Sequence, residues 1–282
     1  MSLLKHHARQ GLTLLLLLPA LVTADSREPV GAVLDASSSV STQTDGKPAR
    51  LELFDYLFDQ QKIKVPAGAS LVVSLRANRT DYVIKGPASL TVQADGLRFD
   101  SGKAASSKTR PDVAVSALLA GPRTQGAVRL RGPRGLLPTP GTVVSTTSPV
   151  LSWPALSGTD SYELILSDGS GNLESRISVE GTHWQPAAAQ ALTWGHAYRW
   201  RVQPAEGDNP GVSGSFTVIS EADHDQLTQL APGSGASFAE RVVYAKALDH
   251  LGVRDDARML WQALAEERPD SQALQGYLKV SP

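Results

Sequence analysis

Few side chains in this 282-residue chain have the types and spacing that acid–base or metal chemistry needs. Beyond residue 24 the histidines are His183, His196, His224 and His250. Asp223-His224-Asp225 sets an imidazole between two carboxylates. Adjacent residues project in different directions, so the triplet suits the start of a surface helix better than a metal site. Asp168, Ser170, Asn172 and Glu174 alternate like the opening ligands of a calcium loop. Leu173 stands where the sharp turn requires glycine, and no glutamate closes the loop, so a hairpin turn is expected. No serine lies in a Gly-x-Ser-x-Gly elbow, and no glycine loop carries the lysine that cradles phosphate. The chain has no cysteine, which removes thiol nucleophiles, zinc-thiolate sites and disulfides together. The sequence therefore predicts no catalytic residue, no cofactor and no bound metal. One pair stands apart. Trp184 and Trp194 flank Pro186 and the alanine-rich run 187–191. Exposed indoles there can stack on sugar rings, which makes both ligand-binding candidates; the competing expectation is packing at the end of a β-sandwich.

The elements that must position such groups are mostly strands. Within residues 63–97, Leu71, Val73 and Leu75 alternate with Val72, Ser74 and Arg76. Tyr82 and Ile84 alternate with Val83 and Lys85, and Leu90, Val92 and Ala94 with Thr91 and Gln93. Side chains alternate across a strand, so the spacing predicts three short strands, each with one apolar face. Ala67-Gly68, Asn78-Arg79-Thr80 and Gly86-Pro87 supply turn chemistry around them. Residues 31–33 and the region around Val40 read as edge strands. Residues 51–58 fit both helical and strand spacing and are read as a strand followed by a turn. Residues 97–99 close the unit after the Asp95-Gly96 turn. Residues 104–134 read as a solvated, turn-rich connector. Arg110, Arg123, Arg129, Arg131 and Arg134 lie there without the interleaved aromatics that nucleic-acid binding uses.

Residues 1–24 have the organisation of a secretory signal peptide: Lys5, His6, His7 and Arg9, then an apolar run over 11–22, then Val22-Thr23-Ala24 as a cleavage site. The apolar run is shorter than the ~20 residues a membrane span takes. Removing Lys5 and Arg9 leaves 25 Lys+Arg against 28 Asp+Glu, so the mature chain carries −3. That balance predicts neither nucleic acid nor an anionic membrane surface as partner. An exported chain without disulfides must be held by apolar burial, and its length allows more than one unit to do so.

Residues 31–33, 53–57, KIKVPAGASLVVSL (62–75) and DYVIKGPASLTVQADG (81–96) resemble the FecR-like domain of exported bacterial proteins, over residues 28–103. The resemblance implies a β fold in the cell envelope. Full regulators of that family carry a sigma-factor-binding segment and a membrane helix before this domain. Here a signal peptide precedes it, so the signalling role is not expected to carry over.

Residues 135–220 show a second strand pattern. Residues 150–153 begin it. Tyr162, Leu164 and Leu166 follow, then Ile177 and Val179. Tyr198, Trp200 and Val202 then line up inside Arg199 and Arg201, and Phe216 and Val218 close it. Residues 192–198 have the spacing of a tyrosine corner. Trp153, Tyr162 and Tyr198-x-Trp200-x-Val202 make this segment resemble a fibronectin type III domain, which implies spacing or protein contact. Beyond it, Ser237-Phe-Ala-Glu240 is a capping box, and Phe238, Val242, Ala245 and Leu248 run at helical spacing to Gly252. Asp255 and Asp256 open a second helix with Ala257, Leu260, Trp261 and Leu264 as its stripe, Pro269 ends it, and residues 271–280 form a third. The spacing from Ala245 to Pro269 resembles one tetratricopeptide repeat. A lone repeat cannot bury its own face, so it should pack on its own β units or on a partner.

The expected fold is mainly β with a small α tail: a FecR-like β domain, a fibronectin III-like sandwich, and a helical hairpin of tetratricopeptide type at 236–282. The expected function is that of an exported, non-enzymatic binding or scaffold protein of the bacterial envelope, periplasmic or secreted, with an envelope protein as partner. Two alternatives stand beside it: a carbohydrate- or peptidoglycan-binding module using Trp184 and Trp194, and the envelope component of a signal-sensing system. No stable membrane span is expected.

Overall fold

The computed structural model describes residues 28–44, 47–111, 117–118, 135–156, 158–169, 174–206 and 211–280. The expected signal peptide, most of the connector with Arg123, Arg129, Arg131 and Arg134, and Ser170 and Asn172 of the candidate calcium loop lie outside the described residues. The chain is mainly β, with four short helices at its C-terminal end. Among the described residues no helix is long and apolar enough to cross a membrane.

The first unit contains β1 (Gly31–Ala36), β2 (Ser41–Thr44), β3 (Lys47–Arg50), β4 (Tyr56–Leu57), β5 (Lys62–Val65), β6 (Ser70–Leu75), β7 (Thr80–Lys85), β8 (Ala88–Gln93), β9 (Gly96–Ser101) and β10 (Ala104–Thr109). They form two five-stranded sheets, ordered β10-β7-β6-β1-β4 and β3-β2-β5-β8-β9. The alternation seen in the sequence sets the register. Leu71, Val73, Leu75, Ile84, Leu90 and Val92 enter one core with Val33, Val40, Leu57, Ile63 and Val65. Gly86 is fixed by close approach, since a Cβ there would lie 1.7 Å from the Pro66 carbonyl oxygen.

Two expectations for this unit are corrected. The strand near residue 51 is β3, which ends at Arg50; Leu53 and Phe54 form a turn, and β4 follows it. The cause is backbone hydrogen bonding to β1: Phe54 N donates to Val33 O and Val33 N to Asp55 O, folding the segment tightly back on that strand. The start of the expected connector is β10, which pairs with β7 from Ala104 opposite Ile84 to Thr109 opposite Thr80. An edge strand exposed along most of its length needs no apolar alternation, so AASSKT carries none. Arg110 is not solvated. It is 5% exposed, and its Nε donates to Asp81 Oδ2 at 2.7 Å. Burial pushes the Asp81 carboxyl up from its ordinary value, against the opposing charge of Arg110.

The second unit contains β11 (Thr142–Val144), β12 (Leu151–Ser152), β13 (Ser161–Asp168), β14 (Glu174–Glu180), β15 (His183–Trp184), β16 (Ala197–Pro204) and β17 (Val212–Val218). Its main sheet is ordered β11-β17-β16-β13-β14, with β11 parallel to β17, and β12 pairs with β15 in a small second sheet. The inward row Tyr198, Trp200 and Val202 is buried while Arg199 and Arg201 are exposed. Trp153 meets Tyr162 edge-on at 5.7 Å and Trp200 at 6.3 Å, so the indoles anchor the core between the two sheets. The Tyr198 phenol oxygen accepts from Thr193 N at 3.0 Å. Tyr162 makes a comparable tie that the sequence did not announce: its oxygen accepts from Leu156 N and donates to Thr159 O.

The helices are α1 (Glu221–Leu230), α2 (Phe238–His250), α3 (Arg254–Glu267) and α4 (Gln272–Val280). α2, α3 and α4 lie where three helices were expected, and Ser220 caps an additional one, α1, ahead of residue 236. The capping box at α2 forms both bonds, Ser237 Oγ accepting from Glu240 N and the Glu240 carboxylate from Ser237 N. The apolar stripes of α2 and α3 meet in a third core that takes Leu34 from β1 and Ile219 from the end of the second unit. The tail thus packs on its own chain.

Candidate functional site at the junction of the first unit and the helices

The residues singled out in the sequence are dispersed. Trp184 lies on β15 opposite Leu151, half-buried against the second unit's core. Trp194 is half-buried between that core and the helical core, with His224 of α1 tilted against it at 4.6 Å. His183 and His196 are exposed on separate segments, and His250 lies on α2. Asp223 serves the helix cap: Ser220 Oγ accepts from its N and donates to its carboxylate at 2.7 Å. Among the described residues no three His, Asp or Glu side chains converge as a metal would require.

What does converge lies between the first unit and the helices. Leu53 and Phe54, on the turn before β4, point away from their own β core and into the helical one. Phe54 holds a left-handed backbone, φ +72°, which presents its ring to the helices. That ring stands edge-on to Trp261 of α3 at 5.8 Å and lies 5.7 Å from Tyr277 of α4. Trp261 Nε1 donates to Asp249 Oδ2 at 2.7 Å, and the Tyr277 hydroxyl donates to the same oxygen. One carboxylate on α2 therefore orients an indole and a phenol from the two following helices. Lys246, one turn earlier, is only 7% exposed. Its ammonium lies 5.7 Å from the Phe54 ring centroid and 5.2 Å from that of Tyr277, within cation–π range. Burial pulls the Lys246 ammonium below its ordinary range, with Asp249 opposing. Burial pushes the Tyr277 phenol up, and the Asp249 charge adds to it.

Ion pairs fasten the rim. Arg268 donates to both oxygens of Asp35, at 2.7 and 3.1 Å, while its guanidinium lies 4.0 Å from the Phe238 ring centroid. Lys108 of β10 meets Glu240 of α2 at 2.8 Å. That contact and the capping bonds from Ser237 hold the Glu240 carboxyl down at about 2. The second unit grips the other side of the helices. Thr139 N donates to Asp255 Oδ2 at 2.8 Å, Ser145 Oγ to Asp256 Oδ2 at 2.7 Å, and Val143 N to Gly252 O at 3.0 Å. Beside the Asp35–Arg268 pair lies a polar cleft of about 480 Å³, walled by the turns after β1 and β3 and by the segment joining α3 to α4.

Sequence reasoning missed Phe54, Lys246, Asp249, Asp35 and Arg268 as a group. One signal was present: Lys246 interrupts the apolar run Val242, Val243, Ala245, Ala247 and Leu248, which marks a cation on a buried face. The Asp249 carboxylate is committed to two donors and the Lys246 amine is enclosed by rings. No known protein-family model and no curated protein matches the chain. What fold and site define is a mainly β protein whose two strand-built units are clasped by one helical unit.

Proposed function

We propose that the chain is an exported, non-enzymatic binding or scaffold protein of the bacterial cell envelope, which holds β surfaces in fixed mutual positions for a protein partner. The observation that carries this reading is the clasp: one helical unit bonded by Asp35, Lys108 and Phe54 on one side and by Thr139, Val143 and Ser145 on the other. Oriented contacts on both sides of the helical unit suppress the relative motion that small polar interfaces between units otherwise permit. The units are of FecR-like, fibronectin III-like and tetratricopeptide-like type in this proposal, supported by the residues that carry each resemblance. The test is fractionation followed by cross-linking in intact cells. The expected result is a periplasmic chain lacking residues 1–24 and a cross-linked envelope protein that is lost with Asp249→Ala while both β units keep their hydrogen-exchange protection. A cytoplasmic chain with an intact N-terminus, or a cross-link indifferent to Asp249→Ala, overturns it.

A further inference from the structure

We propose that the cleft between the first unit and the helices binds a non-anionic, polyhydroxylated ligand of one or two sugar rings. At about 480 Å³ it falls within the size of small-ligand sites. Its walls are mostly polar, which excludes a lipid or other apolar occupant. Most of its charges are matched: Asp35 by Arg268, Glu52 by Arg50 at 3.9 Å, and Glu267 by Arg241. The remaining charge on its wall is the Asp270 carboxylate, so an anion entering the cleft meets completed pairs and one like charge, and the site disfavours an anionic ligand. Donors and acceptors are interleaved on both walls. The β wall offers Ser38, Arg50 and Glu52; the helical wall offers Asp270, Ser271 and Gln272. Sugar hydroxyls each supply one donor and accept in return, and carboxylates, guanidinium and carboxamide groups are the side chains that satisfy them. The two walls are set at a fixed distance by the bidentate Asp35–Arg268 pair and the stacking of Arg268 on Phe238, so the site is formed before any ligand arrives. This site is distinct from Trp184 and Trp194 and does not depend on the scaffold reading.

The experiment is calorimetric titration of the full chain with two neutral trisaccharides, maltotriose and triacetylchitotriose, and with an uncharged alanine–glycine pentapeptide, each to about 10 mM. One trisaccharide should bind with one site per chain, and which of them binds separates an α-glucan from an N-acetylated source. Ser38→Trp fills the cleft from the β wall and Asp270→Ala strips the helical wall. Both positions are exposed, so thermal unfolding should not move while each change weakens binding at least about tenfold. Absence of binding by both saccharides overturns the proposal, as does binding that survives both variants, binding abolished by Trp184→Ala instead, or preference for the pentapeptide.

Discussion

Phe54 carries the first unit's aromatic contacts into the helical core, and its truncation separates ring contacts from backbone strain. Removing a fully buried phenylalanine ring costs about 3–5 kcal/mol. The Phe54 ring is half-buried, but it touches Trp261 and Tyr277 and lies near the Lys246 ammonium, so Phe54→Ala should weaken the junction by about 2–3 kcal/mol. Alanine keeps the strain of φ +72°. Glycine does not, and relief of a left-handed L-residue returns about 1 kcal/mol. Phe54→Gly should therefore be milder than Phe54→Ala, though neither has a ring. Native-state hydrogen exchange reads this directly, because α3 and α4 amides report opening of the junction while β6 and β8 amides report the β core. Both variants should lose protection in the helices, alanine more, with the β core unchanged. Helix amides indifferent to Phe54→Ala would refute the anchoring role, and glycine falling below alanine would refute the strain argument.

Asp249→Ala orphans the Trp261 and Tyr277 donors together and should cost about 2–4 kcal/mol in helix protection, more than the change of one rim charge. Arg110→Met leaves Asp81 buried without its cation and should cost about 3–5 kcal/mol in urea unfolding, whereas adding Asp81→Leu should restore most of it. Glu240 titrates at about 2 in the folded chain against 4.5 ordinarily. A depressed carboxyl stabilises fully above the higher value and loses that contribution as pH falls toward the lower one. The rim position is partly exposed, so about 1 kcal/mol should vanish across that acid window, and Lys108→Ala should flatten the effect. Gly86→Ala pushes a methyl group into the Pro66 carbonyl and should cost about 3 kcal/mol or more, read as a lowered midpoint of thermal unfolding.

Strands that bury one face were legible because burial imposes a period of two. β6, β7, β8, β13 and β16 all lie where alternation put them. Strands whose residues bury little were not. β10 is held by backbone pairing at a sheet edge, and β15 has only two residues, so neither needs an apolar pattern. The α2 start was legible because a capping box is local chemistry over four residues. The candidate site was not, because its pairs join distant parts of the chain: Asp35 and Arg268 are 233 positions apart. Nothing within a few residues of Phe54 states that its ring leaves its own unit. Trp194 illustrates the converse. Its type suggested a ligand platform, but its neighbour in space is His224, which only the path of α1 decides.

The three cores imply an order of dependence. The first and second units each enclose a complete apolar cluster made of their own strands. The helical cluster does not; it takes Leu34 from β1 and Ile219 from the end of the second unit, with Leu53, Phe54, Val72 and Val143 packed against it. Helices of nine to fourteen residues gain most of their stability from such packing rather than from propensity. The helical unit's packing therefore depends on surfaces that the two β units supply. Its polar contacts explain why it docks in one orientation. Asp255 and Asp256 favour the positive end of α3 and at the same time accept from Thr139 and Ser145, so helix initiation and docking on the second unit use the same two carboxylates. On the opposite side Glu240 caps α2 and meets Lys108 of the first unit. Each β unit thus engages a helix at its N-terminal turn, where an acidic side chain serves both the helix and its neighbour. A rotation of the helical unit that kept its apolar contacts but misplaced these turns would lose caps and ion pairs together, which confines the clasp to a single arrangement.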